Sequence, residues 1–298
     1  MITGCNKTPV IPPGDLGSGQ IMDPSLTDPA AYRISVSQPN PTAAQAQVPV
    51  IICCHGYSAS TFEWDEFRTW SAGRTDYYID QVLLAGHGTT YADFKKSTYS
   101  DWEGTIITEY LLLVSEGYKN INFAASSTSC PLLLNLIEVG FFKNISNTIH
   151  MFMIDPIVIP SDKFLPLIGV LGPVLGYVTT NNAPGEEKYY YHYRPAETLE
   201  QLQDLLSIVR GELEGGIILP GHIDLKVYKS IKDPTADPVS AVLIYKGVTN
   251  SDGSAIDVQL VNSNLHVFTR LSLVPNVTDL DRQNQTNAFT DITTRIFQ

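Results

Sequence analysis

The chain has 298 residues, 43% of them hydrophobic and 17% charged, with 31 acidic against 19 basic side chains and a net charge of −12. That length can bury a substantial core in one large domain or two small ones, and the composition is that of an ordinary globular protein. The acidic balance, with no basic cluster longer than Lys95-Lys96, argues against nucleic acid or an anionic membrane surface as the main partner, because a phosphate-binding face needs a basic stripe.

At the N-terminus, Ile2-Thr3-Gly4-Cys5 has the form of the end of a bacterial lipobox, in which the cysteine is lipidated. Polar, Pro- and Gly-rich residues follow to about Ala30, as in a tether. The expectation is an N-terminal extension over residues 1–30, a lipid anchor at Cys5 and a place in a bacterial cell envelope. The alternative is a chance tetrapeptide in a cytoplasmic protein. No apolar run is long enough to span a bilayer, and the longest candidate, 164–178, is broken by Pro166 and Pro173.

Ala31–Ser37 alternates and reads as a short strand. Val48–Cys54 is a near-continuous apolar run, as expected of a central strand buried on both faces, and it ends in His55-Gly56-Tyr57-Ser58. Phe62–Ala72 reads as a helix and Tyr78–Ala85 as the next strand, closing on Gly86-His87-Gly88. Ser100 is placed to cap a helix over Asp101–Glu116. A strand at Ile121–Ala125 and a helix at Pro131–Val139 follow, with proline suited to a first helical turn. Thr148–Ile154 is a further strand.

Strands alternating with helices at this spacing predict an α/β protein with a mostly parallel, doubly wound sheet. The alternation then breaks. Residues 157–213 hold a Pro/Gly-interrupted apolar segment, four closely spaced tyrosines (Tyr189, Tyr190, Tyr191, Tyr193) and an amphipathic helix from Ala196 to Arg210. The segment reads as a helical cap inserted between core regions 31–156 and 214–298. Alternation resumes with a strand at Asp224–Ser230, a helix through Ala236–Lys246 and a strand at Ala255–Val261.

The junction at residues 125–129 carries the chemistry. A chain that turns from strand to helix with no loop passes through a strained dihedral, and only small residues two positions either side of the apex avoid clashing. Ala125-Ser126-Ser127-Thr128-Ser129 supplies that layout and lifts Ser127 clear, with Ala125 and Ser129 where glycines are usual. A purely structural Ser-rich turn is the competing reading. A serine nucleophile needs a histidine base, an acid to orient it, and donors for the developing oxyanion. In a sheet of this kind they appear in the order Ser, acid, His, each past the carboxyl end of a strand. His55 and His87 precede the elbow, His150 lies in a strand, His192 in the cap and His222 before a strand. His266 alone follows an acid and the last strand. Two aspartates could orient it. Asp233 comes directly off a strand end, and Asp237, the runner-up, sits where a role in the first helical turn is the plainer reading. The oxyanion donors would be the backbone N–H groups of Thr128 and Tyr57, with Gly56 permitting close approach and His55 a support.

These residues resemble the α/β-hydrolase serine esterases, similar to bacterial carboxylesterases and monoglyceride lipases. The resemblance covers roughly residues 48–156 and 222–270, and rests on Val-Ile-Ile-Cys-Cys-His-Gly-Tyr-Ser at 50–58, Leu-Leu-Ala-Gly-His-Gly at 83–88, the elbow, Lys-Asp-Pro-Thr-Ala-Asp at 232–237, and His266. It implies an α/β-hydrolase fold and a carboxylic ester hydrolase acting through an acyl-enzyme on a small-molecule ester, with Ser127, Asp233 and His266 catalytic. A serine peptidase or amidase on the same triad and an inactive, hydrolase-like binding protein are the alternatives. Leu167 and Leu171 in the cap are expected to wall an acyl pocket suited to short or medium chains. No metal or organic cofactor is expected. Cys53 and Cys54 point to opposite faces of a strand, no C-x₂-C spacing exists for zinc, and Asn250–Gly253 reads as a hairpin turn.

Overall fold

A computed structural model describes residue 11, residues 22–161 and residues 176–298 of the chain. Cys5, Leu167 and Leu171 lie outside the described residues.

Six strands form one sheet: β1 Val50–Cys54, β2 Tyr78–Val82, β3 Ile121–Ser126, β4 Ile149–Ile154, β5 Ile223–Ser230 and β6 Asp257–Val261. Their order across the sheet is β6-β5-β4-β3-β1-β2, and every neighbouring pair is parallel. The chain steps from β1 outward to β2, then crosses back to β3 on the other side of β1 and works outward to β6. The reversal opens a crevice between the carboxyl ends of β1 and β3, where open α/β sheets hold their ligands.

The helices that flank the sheet include α1 Asp65–Trp70, α2 Tyr99–Glu116, α3 Ser129–Glu138, α4 Ala196–Gly215, α5 Val239–Gly247 and α6 Asp279–Arg295. They cover both faces of the sheet, which explains why β1, β3 and β4 read as apolar runs rather than alternating ones. Val50, Ile52 and Cys54 pack with Trp102, Ile106 and Leu113 of α2, Leu133 of α3, Val209 of α4 and Ile244 of α5. Ile51 and Cys53 face the other way, against Phe67 of α1 and Phe289 and Ile292 of α6. Each such side chain contributes about 1.5–3 kcal/mol by leaving water. The adjacent cysteines thus lie in opposite layers, both as buried free thiols. Among the described residues no helix is long and apolar enough to cross a membrane.

Several expectations need correction. Ala31–Ser37 is not a strand but two single helical turns, Pro29–Tyr32 and Ile34–Ser37. Its alternation does not carry burial, since Ile34 is 6% and Val36 45% exposed. Asp28 Oδ1 accepts Ala30 N–H at 3.1 Å and opens the first turn. Ile34 N–H donates to the buried Asp80 on β2 at 2.6 Å, and Ser35 Oγ to Glu109 on α2 at 2.7 Å, so the segment is clasped across the sheet edge rather than paired to it. Met22 and Leu26 are buried as well, so the N-terminal extension is already packed at residue 22. α5 starts at Val239 rather than Ala236, and the C-terminal helix α6 has no counterpart in the sequence reading. Asn250–Gly253 is the expected tight turn, with Gly253 at φ +81° and Asn250 N–H donating to Ser254 O at 2.9 Å.

Ser100 does not cap α2. Thr98 does: its Oγ1 accepts Asp101 N–H at 3.2 Å while the Asp101 carboxylate accepts Thr98 N–H at 2.9 Å, a reciprocal capping box. Ser100 sits inside the first turn. Thr98→Ala is therefore expected to cost about 1 kcal/mol in denaturant unfolding, and Ser100→Ala to stay within about 0.5 kcal/mol of the parent; the reverse ranking would restore Ser100 as the cap.

Candidate active site

Ser127, Asp233, His266 and the Gly56-Tyr57 turn all lie beyond the carboxyl ends of strands. Ser127 follows β3 directly and heads α3 with φ +50°, a left-handed conformation in a residue with a Cβ. Such a backbone costs on the order of 1–3 kcal/mol and persists only where neighbours fix it. Here Ser127 N–H donates to Ile154 O of β4 at 3.0 Å, and Cys130 N–H to Ser127 O at 3.2 Å. Ser129, which stands where a glycine is usual, is fully buried, and its hydroxyl donates to the His55 carbonyl. That bond ties the elbow to the turn beyond β1.

Ser127 Oγ lies 2.8 Å from His266 Nε2, and His266 Nδ1 lies 2.8 Å from Asp233 Oδ2. With the carboxylate accepting a hydrogen bond from Nδ1–H, Nε2 is left as the acceptor for the serine hydroxyl. The other oxygen of Asp233 accepts Thr235 N–H at 2.8 Å and Ala236 N–H at 3.0 Å. Burial pushes the Asp233 carboxyl up, but the hydrogen bond and charge of His266, with Lys229 behind them, outweigh it and hold the group below the usual carboxylate range. Asp237 takes the plainer role, its Oδ1 accepting Val239 N–H at 2.8 Å at the start of α5.

The turn after β1 comes in against Ser127. A Cβ on Gly56 would stand 2.9 Å from Ser127 Cβ and 3.4 Å from Oγ, so only glycine allows the approach. Gly56 N–H donates at 2.8 Å to Oε1 of the buried Glu63, which also takes the Ser126 hydroxyl. The next amide in the turn is Tyr57, and the Thr128 amide opens α3, where helix-terminal N–H groups favour negative charge. The Tyr57 side chain is engaged elsewhere, 2.7 Å from Thr198 Oγ1 on α4. His55 accepts Leu84 N–H on Nε2 at 3.1 Å and packs edge-on to His87. Burial keeps both imidazoles neutral. His55 thus braces the turn and does not meet Ser127. His150 pairs with Asp224 at 3.1 Å and His222 with Phe142 O at 3.0 Å, and His192 lies 3.2 Å from Glu187.

Ser127, Thr128, Tyr57 and His266 open into a cavity of about 290 Å³ walled by Leu199 and Leu202 of α4 together with Asn181, Asn182, Tyr190, Arg194 and Arg270. The tyrosine cluster divides its labour. Tyr190 lines the cavity, while Tyr189 stacks on Phe62 with ring centroids 3.7 Å apart, and Tyr191 stacks on Phe94 and donates to Gly86 O at 3.0 Å. These two pin residues 176–195 onto the loops beyond β1 and β2. Among the described residues no group of three or more His, Cys, Asp or Glu side chains is arranged to hold a metal ion.

The sequence reading missed Glu63, Asp155, Lys229 and Arg270. No motif marks any of them. Lys229 is the penultimate residue of β5, and Asp155 directly follows β4, so the only available signal is a charge in or beside a predicted strand.

No family model matches the sequence, and no curated protein is similar to it. Solved structures resemble it in shape. A metagenome-derived lipolytic enzyme matches with TM-score 0.63 at 17% identity, over 83% of this chain and 94% of that one. The monoacylglycerol lipase of Paleococcus ferrophilus gives 0.61 at 10% identity, over 83% and 96%. A soluble variant of the Saccharomyces cerevisiae monoglyceride lipase gives 0.60 at 13% identity, over 86% and 88%. At these identities the likeness shows the fold, and the fold is that of the α/β-hydrolases.

The contact between Gly56 and Ser127 makes a testable demand. Gly56→Ala drives a methyl into Ser127 and is expected to destabilise by about 1–3 kcal/mol. Gly104→Ala, helical and with nothing within 4 Å of the added Cβ, is expected to stabilise by about 0.4–1 kcal/mol. Equal melting temperatures for the two variants would show that the turn has room to yield.

Proposed function

We propose that the protein is a carboxylic ester hydrolase of the serine type, a reading carried by one observation: the unbroken chain Ser127 Oγ–His266 Nε2 and His266 Nδ1–Asp233 Oδ2, each link 2.8 Å, at the mouth of the crevice. Ser127 Oγ attacks the ester carbonyl as Nε2 takes its proton, and the Thr128 and Tyr57 amides receive the oxyanion. Collapse of the tetrahedral intermediate breaks the carbonyl carbon–alkoxy bond, and Nε2 returns the proton to the leaving alcohol. A water then gives its proton to Nε2 and attacks the acyl carbon; the acid leaves and Ser127 recovers its proton. Asp233 stays ionised throughout, holding the imidazole in the tautomer that accepts from serine. The lipolytic neighbours of the fold support an ester substrate. The modest cavity supports short to medium acyl chains, with Leu167 and Leu171 proposed as part of its wall.

Ser127→Ala is expected to lower kcat for 4-nitrophenyl butyrate on the order of 10⁴-fold or more, while Ser126→Ala keeps most of it. Asp233→Asn is expected to lose on the order of 10³–10⁴-fold with the fold intact, and Asp237→Asn little. A dead Ser126→Ala, or a larger loss in Asp237→Asn, would contradict the assignment. We also propose a lipid anchor at Cys5 in a bacterial envelope: native protein should partition with membranes and Cys5→Ala should not, and native protein that is soluble throughout would end that proposal.

A further inference from the structure

The hydrogen-bond chain that begins at Ser127 does not end at Asp233. Lys229, four residues earlier on β5, has no exposed side-chain surface, and its ammonium donates to Asp233 Oδ2, the same oxygen that accepts the His266 Nδ1–H hydrogen bond. The ammonium also lies 3.5 Å from Oδ1 of Asp155, whose side chain is equally buried. Asp155 follows β4 at φ +46°. It accepts Ser230 N–H at 2.6 Å, Ser230 Oγ–H at 3.1 Å and Phe268 N–H at 3.1 Å, so it joins the end of β5 to the loop that carries His266. Burying a lysine and a second carboxylate is expensive unless each is paired. A serine–histidine–aspartate chain requires neither.

We infer that Lys229 and Asp155 are a positioning pair for the Asp233–His266 couple. Lys229 pins the Asp233 carboxylate in the rotamer that faces the imidazole, and Asp155 balances the cation so that His266 meets one net negative charge instead of none. This rests on the ester-hydrolase reading of the same site. Asp233 then holds four donors, two on each oxygen, and any rotation forfeits all of them. Burial pushes the Asp155 carboxyl above the usual carboxylate range, and the Lys229 ammonium is the largest influence holding it down. The other ionisable groups nearby are Cys130 in the buried layer beside the pair, and Glu63, Glu186, Tyr190, Arg194 and Arg270 around the cavity that His266 lines.

The charge arithmetic gives opposite signs for different variants. Asp155→Asn leaves Lys229 cancelling Asp233, so the imidazolium loses its net counter-charge. Asp155→Asn with Lys229→Met restores one net negative charge. Titration of the ¹⁵N-labelled His266 imidazole by NMR, assigned by the resonance that His266→Asn removes, reads this without any substrate, and the acid limb of kcat/KM reads it in turnover. A protein that hydrolyses no ester would defeat the functional reading and leave the NMR result standing. Asp155→Asn is expected to move the titration midpoint to lower pH by on the order of one unit, and the double variant to move it back. An unmoved midpoint in Asp155→Asn, or an equal shift in the double variant, would overturn the inference. If Asp155→Asn does not fold, Lys229→Met carries the test: two buried carboxylates without a cation must either raise the imidazole midpoint or put a proton on one of them, visible as a protonated-carboxyl band in the infrared. Neither change appearing would also overturn it.

Discussion

The left-handed backbone at Ser127 is the constraint on which the rest of the site depends. It converts β3 into α3 with no intervening loop, which puts a hydroxyl above the sheet at the point where the strand order reverses. Nothing about serine favours that conformation, so the surroundings must impose it. β4 supplies an acceptor for the Ser127 amide, α3 begins at once behind it, and Ser129 fastens the first turn of α3 to the His55 carbonyl. The energy stored there, on the order of 1–3 kcal/mol, is offset by packing on both faces of the sheet. The strained backbone at this one residue turns its hydroxyl toward His266 and the cavity.

From that apex the site is assembled by close approach and by charge. Gly56 comes so near Ser127 that a methyl group would not fit, and the residues next to each, Tyr57 and Thr128, line the same cavity. Glu63, buried beneath the turn, holds the Gly56 amide and the Ser126 hydroxyl together. On the far side, His266 meets Asp233, and behind that carboxylate stand the buried ammonium of Lys229 and the buried carboxylate of Asp155. The left-handed backbone at Asp155 repeats at the end of β4 what happens at the end of β3: a residue is turned back over the sheet so that its side chain, not its amide, faces the neighbouring loop.

Much of this was legible in the sequence, for definite reasons. A near-continuous apolar run marked β1 because both faces of that strand are covered, and small residues around Ser127 marked the turn because larger ones would clash. Chain order alone separated His266 from five other histidines, and the structure brings it to Ser127 and Asp233. What was illegible depends on partners distant in sequence. Ala31–Ser37 has the alternation of a strand, but Asp80 and Glu109 seize its backbone and side chains from elsewhere. Thr98 and Ser100 are both acceptable caps, and only the reach of Asp101 decides between them. Lys229 and Asp155 give only the faint sign of a charge in or beside a strand, because a buried charge is explained only by the charge opposite it.

The most direct test of the account is to locate the covalent adduct. Reaction with a fluorophosphonate, followed by tandem mass spectrometry of the 119–143 peptide, should place a single phosphonyl group on Ser127 and none on Ser126 or Ser129. The adduct should be absent when His266 is replaced by alanine and the time of exposure is kept short. A phosphonyl group on a neighbouring serine, or none in the folded native protein, would contradict the claim that the strained apex of this sheet is a nucleophile.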